Sequence, residues 1–410
     1  MQKPRLGVLT LLFGAGGVVA FAAGAAAETL TFDDVLARSR SYAFDVRFAE
    51  ARVVEARGRV TGARALSQEN PVVEALTGER RGEVETDETE IALTIPFGRL
   101  GLQRGPRVAM AEADLTREES NLADARRLAM GRAAEAFYRV LHARRLYAIA
   151  ESRLVLADSL LAIARERERV GDVAQFDVKV AESEHGRAES DLLAQEGTVT
   201  GAAADLAKSI GLESVADLDV AGDLADQSGL DSLIDWGAAP ERPDVMAAQA
   251  HVEMRAEESS LAGRERIPDF SLLGSSAREE GDEIVQGGAA ITLPIFQRGQ
   301  GSRGEARGRA ELAQSERDAT LAARNIESES AETMYRVATG ALDRFEEVAL
   351  PNALEYSSMA TESYRAGRMD LPALLLIRRE GLDAQREHAD RQLERAVAAI
   401  ELAVARGLFR

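Results

Sequence analysis

Ile284-Val285-Gln286-Gly287-Gly288-Ala289-Ala290-Ile291-Thr292-Leu293-Pro294-Ile295-Phe296 is the stretch on which the reading of the whole chain turns. Side chains alternate across a strand, so Val285, Gly287, Ala289, Ile291 and Leu293 share one face, and Ile284, Gln286, Gly288, Ala290 and Thr292 the other. Glu90-Ile91-Ala92-Leu93-Thr94-Ile95 alternates in the same way. Each follows another strand candidate, which predicts two hairpins, 71–78 with 88–96 and 268–276 with 284–294. The loops 79–87 and 277–283 are acidic and contain glycine, as hairpin loops do. Segments of about ten residues with period two match strands that cross a membrane in a barrel. Phe97, Phe270 and Phe296 lie at strand ends, where an aromatic girdle forms. The first strand fits least well, because Glu74 falls among Val72 and Leu76.

The chain around these strands repeats once. Asp45 matches Asp244, Asn70-Pro71 matches Ile267-Pro268, and Thr94-Ile95-Pro96-Phe97 matches Thr292-Leu293-Pro294-Ile295. Phe137-Tyr138-Arg139-Val140 matches Met334-Tyr335-Arg336-Val337, and Arg169-Val170-Gly171 matches Arg365-Ala366-Gly367. All five are separated by 196–199 residues. Solenoid repeats are far shorter, so this is one duplicated half: 28–211 and 242–410, joined by a linker over 212–241.

Each half has the same order of elements. A helical segment, 32–65 or 242–266, precedes the hairpin. A long helix follows it. From 106 to 169 no proline occurs after the first position, which predicts roughly 95 Å of helix. Pro106 sits where a helix start tolerates proline, and Gly171 where a helix stop wants a positive φ. A return helix covers 175–210. The second half copies this with 301–350, a break at Pro351, 352–365, a turn at Gly367 and a last helix over 372–406. Apolar positions such as Leu128, Ala133, Phe137, Leu141, Ala148 and Leu154 form a narrow stripe between arginines. Such stripes suit long helices packed side by side and wet on one face. The fold expected is mainly α with a small β part.

Composition removes several function classes. The chain has 410 residues with a formal charge of −19, and an acidic chain lacks the basic footprint of a nucleic-acid binder. It has no cysteine, which excludes disulfides, cysteine-based metal centres, thiol catalysis and a lipid on an N-terminal cysteine. His142, His185, His251 and His388 are scattered without metal-ligand spacing and read as surface histidines. Gly299, Gly301 and Gly304 lack the βαβ setting of a nucleotide site. No catalytic residue, cofactor or metal site is expected. At the start, Lys3 and Arg5, an apolar run from Leu6 to Ala23 and Ala25-Ala26-Ala27 have the make-up of a cleaved export signal over 1–27. Cleavage would move the charge from −19 to −21.

Four strands cannot close a barrel, and a sheet in lipid tolerates no free edge. If these strands cross a membrane, several copies must pool them in a head-to-tail ring.

The chain resembles the TolC-type outer-membrane efflux proteins, including the branch linked to metal efflux and RND-type pumps. The resemblance covers nearly all of the chain after the export signal. Arg242-Pro243-Asp244-Val245, Ile291-Thr292-Leu293-Pro294-Ile295-Phe296 and Tyr364-Arg365-Ala366-Gly367-Arg368-Met369-Asp370-Leu371 carry it, together with the repeat. It implies a homotrimer in the bacterial outer membrane, with four strands per chain in a 12-stranded β-barrel and the helices in a long periplasmic α-helical barrel. It also implies short helices stacked end to end with return helices, and here 242–266 with 175–210 nearly matches the long helix 106–169. The implied partners are a periplasmic adaptor protein, an inner-membrane pump and outer-membrane lipid.

In that family the helix–turn–helix tips face the adaptor and form the entrance. The tips here are 169–178 and 364–375, with Gly171, Asp172, Asp177, Tyr364, Gly367, Arg368 and Asp370 as candidate residues. Asp177 matches an acidic family position. Ala373 and Leu376 stand where drug-efflux members carry gating carboxylates, so Asp370 substitutes for them or the gate is apolar. Asp177 and Asp370 also read as helix N-caps. The expected function is a passive conduit in a tripartite exporter. The alternative is a secreted or periplasmic coiled-coil scaffold.

Overall fold

The computed structural model describes residues 29–80, 86–99, 101–215, 218–234, 236–237, 240–279 and 282–409. The expected export signal, 1–27, lies outside them, as do the hairpin tips 81–85 and 280–281. No helix among the described residues is long and apolar enough to cross a membrane.

The first half opens with β1 (Thr29–Leu30) and α1 (Phe32–Tyr42). Thr31 caps α1 reciprocally with Asp34: each side chain bonds the other's backbone N–H, at 3.3 and 3.0 Å. The expected single helix over 32–65 is broken at Ala43 (φ −56, ψ 138), and α2 (Phe44–Ala63) follows. Packing imposes the break. Ala43 and Val46 are buried against Ala129, and Gly211 lies so close to the Tyr42 carbonyl that no Cβ would fit there.

The strands are β2 (Val72–Arg80), β3 (Thr86–Gly98), β5 (Asp269–Glu279) and β6 (Asp282–Thr292). They form one antiparallel sheet ordered β2-β3-β5-β6. All four run past the expected ends into the acidic stretches, and β6 stops short of Pro294, which has no N–H for a ladder. Register sorts the side chains. Val73–Leu93, Ala75–Ile91, Ile95–Leu272, Leu272–Ala289 and Phe270–Ile291 are paired and share one face. Glu74, Glu90, Thr94, Ser275 and Gln286 fall on the other. Val72, Leu76, Leu273 and Ile284 share that second face, so Glu74 stays among apolar neighbours on a face of mixed character.

The long helices come next. α3 (Arg104–Arg169) is 66 residues long and starts two residues before the expected Pro106. Proline is tolerated through the first turn because those N–H groups have no partner inside the helix. α4 (Gln175–Ser209) returns. In the second half α6 (Pro243–Gly263) precedes the hairpin, and α7 (Gln300–Arg344) follows it. A π-turn over Phe345–Ala349 then leads into α8 (Leu350–Arg365). The break expected at Pro351 is thus a local widening just before it: the looser turn absorbs the proline that a regular helix interior would reject. α9 (Leu371–Arg406) completes the half.

The helices stand in four columns: α2 above α4, then α3, then α6 above α9, then α7 continuing into α8. The expected stacking paired α6 with α4, and here the structure differs. Each short helix stacks on the return helix of its own half. The α6 start meets the α9 end, where Arg242 Nη1 donates to the Ala405 carbonyl at 3.2 Å. The α2 start meets the α4 end, where Phe44 and Asp45 share a cleft with Asp205 and Lys208.

The largest core lies where the columns join. Phe137, Tyr138, Leu206, Ile210, Ile400 and Leu402 are buried there. The stretch expected to be a linker contributes β4 (Asp219–Val220), paired parallel with β1, and α5 (Ser228–Leu233). It drives Val220, Leu224, Leu230 and Ile234 into the same core.

Candidate functional site at the helical tips

The two hairpin turns far from the sheet are built alike. After α3, the Gly171 N–H donates to the Glu168 carbonyl and the Asp172 N–H to the Arg167 carbonyl, both at 2.9 Å. After α8, the Gly367 N–H donates to the Tyr364 carbonyl at 3.0 Å and the Arg368 N–H to the Ser363 carbonyl at 2.9 Å. This double bond pattern closes a helix end through a residue in the left-handed region. Gly171 and Gly367 have φ of 81° and 67°.

The helices that leave the turns start differently. Asp370 caps α9: its Oδ1 accepts the Ala373 N–H at 2.9 Å. The capping reading therefore describes Asp370. It does not describe Asp177, because Ala174 holds the cap position of α4 and no side chain bonds there. Asp177 instead places its carboxylate in the first turn, where the helix dipole favours negative charge.

The tips pack on one another. Leu160, Leu161, Ala164 and Val178 of the first hairpin meet Ala360, Tyr364, Leu371 and Leu374 of the second in a separate buried cluster. Above it a cleft of about 370 Å³ is lined by Asp177, Tyr364, Gly367, Arg368 and Asp370, with Arg167. Five of the seven candidates are thus brought together across the two halves. Gly171 and Asp172 lie outside the cleft, in the first turn itself.

Arg167 is the residue that sequence reasoning missed. Its Nε donates to Asp172 Oδ2 at 2.6 Å, its Nη1 to Tyr364 Oη at 3.3 Å, and its guanidinium lies 5.6 Å from the centre of the Tyr364 ring. The Asp172 bond, then the Tyr364 bond, hold its pKa above the ordinary guanidinium value. Arg167 ties the first turn to the second hairpin. The repeat hides it, because Ser363 stands at the equivalent position. Leu376, at an expected gating position, is 60% exposed.

The histidines expected on the surface are half-buried between helices and face carboxylates. His142 meets Asp390 at 2.7 Å, His185 meets Asp158 at 2.8 Å, His388 meets Glu346 at 2.7 Å and His251 meets Glu316 at 3.4 Å. His251 is pulled below its ordinary pKa by burial first, then by Arg255 and Arg117.

No family model matches the chain. It is 25% identical over 356 residues to the cobalt-zinc-cadmium resistance protein CzcC of Cupriavidus metallidurans, covering 84% of this chain and 82% of that one. Its fold is that of solved outer-membrane channels. The CmeC channel of Campylobacter jejuni matches with a TM-score of 0.77 at 14% identity, over 92% of this chain and 85% of that one. VceC of Vibrio cholerae matches with 0.76 at 18%, over 92% and 96%. The open-state MtrE channel of Neisseria gonorrhoeae matches with 0.75 at 17%, over 92% and 88%. The comparisons agree with the resemblance to TolC-type outer-membrane efflux proteins: the chain has the fold of solved outer-membrane channels and is similar to CzcC over most of both lengths.

Proposed function

We propose that the chain is the outer-membrane channel subunit of a tripartite exporter, a passive conduit from periplasm to exterior. One observation carries this: a single copy is an open wall. Its sheet ends at β2 on one side and β6 on the other, with one apolar face. Its helical columns end on the same sides, at α2 with α4 and at α7 with α8. Exposed apolar side chains mark both margins, among them Phe44, Phe48 and Val54 on α2 and Ile326, Met334 and Val337 on α7. Three copies joined margin to margin pool 12 strands and leave no edge in lipid. The apolar face turns to the membrane, and the face with Glu74, Glu90 and Gln286 lines the lumen. A coiled-coil scaffold gives no reason for such a sheet.

The tips, at the far end from the sheet, dock the periplasmic adaptor. An inner-membrane pump supplies the energy. The cleft of Asp177, Arg368 and Asp370 bridges both hairpins, so an adaptor seated there moves them together. The carboxylates on that second sheet face favour cations, and likeness to a cobalt-zinc-cadmium resistance protein makes divalent cations the first cargo to test. The experiment is fractionation with unheated gel electrophoresis. An outer-membrane species that runs as three chains and falls to one on heating is expected. A soluble periplasmic single chain overturns the channel reading. Loss of metal resistance on deletion, restored by the gene, tests the cargo.

A further inference from the structure

The rim where the sheet meets the long helices departs from the charge of the molecule. The protein carries −19, yet neither 91–111 nor 284–304 contains an aspartate or glutamate. These windows hold Arg99, Arg104 and Arg107, and Arg298 and Arg303. One spacing recurs 199 residues apart: Phe97, Arg99 and Arg104, then Phe296, Arg298 and Arg303. Both sets lie between the last strand of a hairpin and the first turn of the long helix after it.

Among the described residues, none of these five arginines forms an ion pair. They bond backbone carbonyls instead. Arg99 Nε donates to Ile267 at 3.1 Å, Arg104 Nη2 to Arg64 at 3.1 Å and Arg107 Nη2 to Ala65 at 2.7 Å. Arg298 Nε donates to Ile295 at 3.0 Å and Arg303 Nε to Gly299 at 3.1 Å. Carbonyls orient a guanidinium without neutralising it. Glu69 and Asp269 border the cleft that Arg99, Arg104 and Arg107 line, but at no ion-pair distance. Arg107 is held below the ordinary guanidinium value by burial and then by repulsion from Arg104, as expected of a rim short of negative charge. The same junctions expose large apolar side chains: Leu66, Phe97, Leu102, Leu293, Ile295 and Phe296, the last 90% exposed. Apolar and aromatic groups at one level with cationic heads have the composition of a membrane-interface belt.

We propose that this rim binds the phosphate headgroups of anionic phospholipids in the periplasmic leaflet of the outer membrane. This rests on the reading that the sheet crosses that membrane. The exposed apolar groups enter the acyl region, and the guanidiniums above them fork onto phosphate oxygens. The duplication supplies two sets per chain, hence six around a trimer.

The test uses the assembled full-length oligomer in nanodiscs of equimolar phosphatidylglycerol and phosphatidylcholine. Lipids retained after mild detergent extraction are counted by native mass spectrometry. Enrichment of the anionic lipid is expected, falling on the order of fivefold for each guanidinium removed in Arg99→Gln, Arg298→Gln and Arg303→Gln. Arg→Lys at the same three positions keeps the charge and is expected to keep the enrichment, which separates lost charge from damaged folding. Retention in the supplied proportion, or equal enrichment in the Gln variant, overturns the proposal. So does stabilisation by inorganic phosphate in phosphatidylcholine discs that equals that by phosphatidylglycerol, since the rim would then hold a free anion. A chain that forms no heat-sensitive oligomer in either lipid overturns the channel reading, and this inference with it.

Discussion

Arg242 is buried at the joint where α6 starts above the end of α9. Its Nη2 donates to Asp244 Oδ2 at 2.6 Å and its Nη1 to Glu327 Oε2 at 2.7 Å. Pro243 begins α6, where its missing N–H costs nothing. The sequence Arg-Pro-Asp is thus a clamp that starts one helix over the carbonyls ending another. Burial alone would raise the Asp244 carboxyl, but the bonds and charge of Arg242 outweigh it and hold the pKa below 3.8. A carboxyl depressed on folding stabilises in full above its unfolded value and loses that contribution as pH falls through the native one. Asp244→Asn is expected to cost about 1–3 kcal/mol at pH 7. The gap from the parent protein should stay constant down to about pH 4 and close below it, as read by helix loss in denaturant at a series of pH values. A gap that widens in acid contradicts the pair.

At the scale of elements, the tips are two copies of one turn with different helix starts. A Cβ added at Gly171 or Gly367 would meet nothing within 4 Å. Substitution there carries only the strain of a positive φ, about 1–3 kcal/mol for a β-branched residue. Gly171→Val and Gly367→Val should therefore leave the heat-sensitive oligomer intact while abolishing export in a whole-cell efflux assay. Undiminished export would remove the tips from the mechanism. Gly131 behaves oppositely: it lies deep in α3, so close to Val404 of α9 that no Cβ would fit. Substitution there requires the Val404 methyl to turn aside.

At the scale of the molecule, the decisive feature is the pair of free margins. The chain contains no cysteine, so introduced thiols report without background. Ala75 of β2 and Val285 of β6 lie on the apolar face at opposite edges of the sheet. Ala75→Cys combined with Val285→Cys, or with Ala289→Cys two steps along the same face, should yield oxidised ladders that stop at three chains. Disulfides confined within one chain would mean that the sheet closes on itself, and a ladder running past three would mean an open filament.

Local and periodic features were legible in the sequence because their causes lie within a few residues. Alternation marked the strands, long stretches free of proline marked the helices, and glycine after arginine marked both tips. The duplication was readable for the same reason, since each half carries its own copy of those signals. Asp370 could be read as a cap from its place before a proline-containing helix start. What the sequence left open depends on residues far apart along the chain. Arg167 meets Tyr364, His142 meets Asp390, and the stretch 212–241 folds into the main core, because three-dimensional packing brings them together without local periodicity. The columns follow the same logic. Helix lengths allowed α6 to stack on either return helix, and only the Arg242 joint with the end of α9 selects one. Composition and spacing set which elements form, since backbone bonding and side-chain alternation act locally. Tertiary structure alone decided which faces, ends and charges meet, since burial and ion pairing act through space.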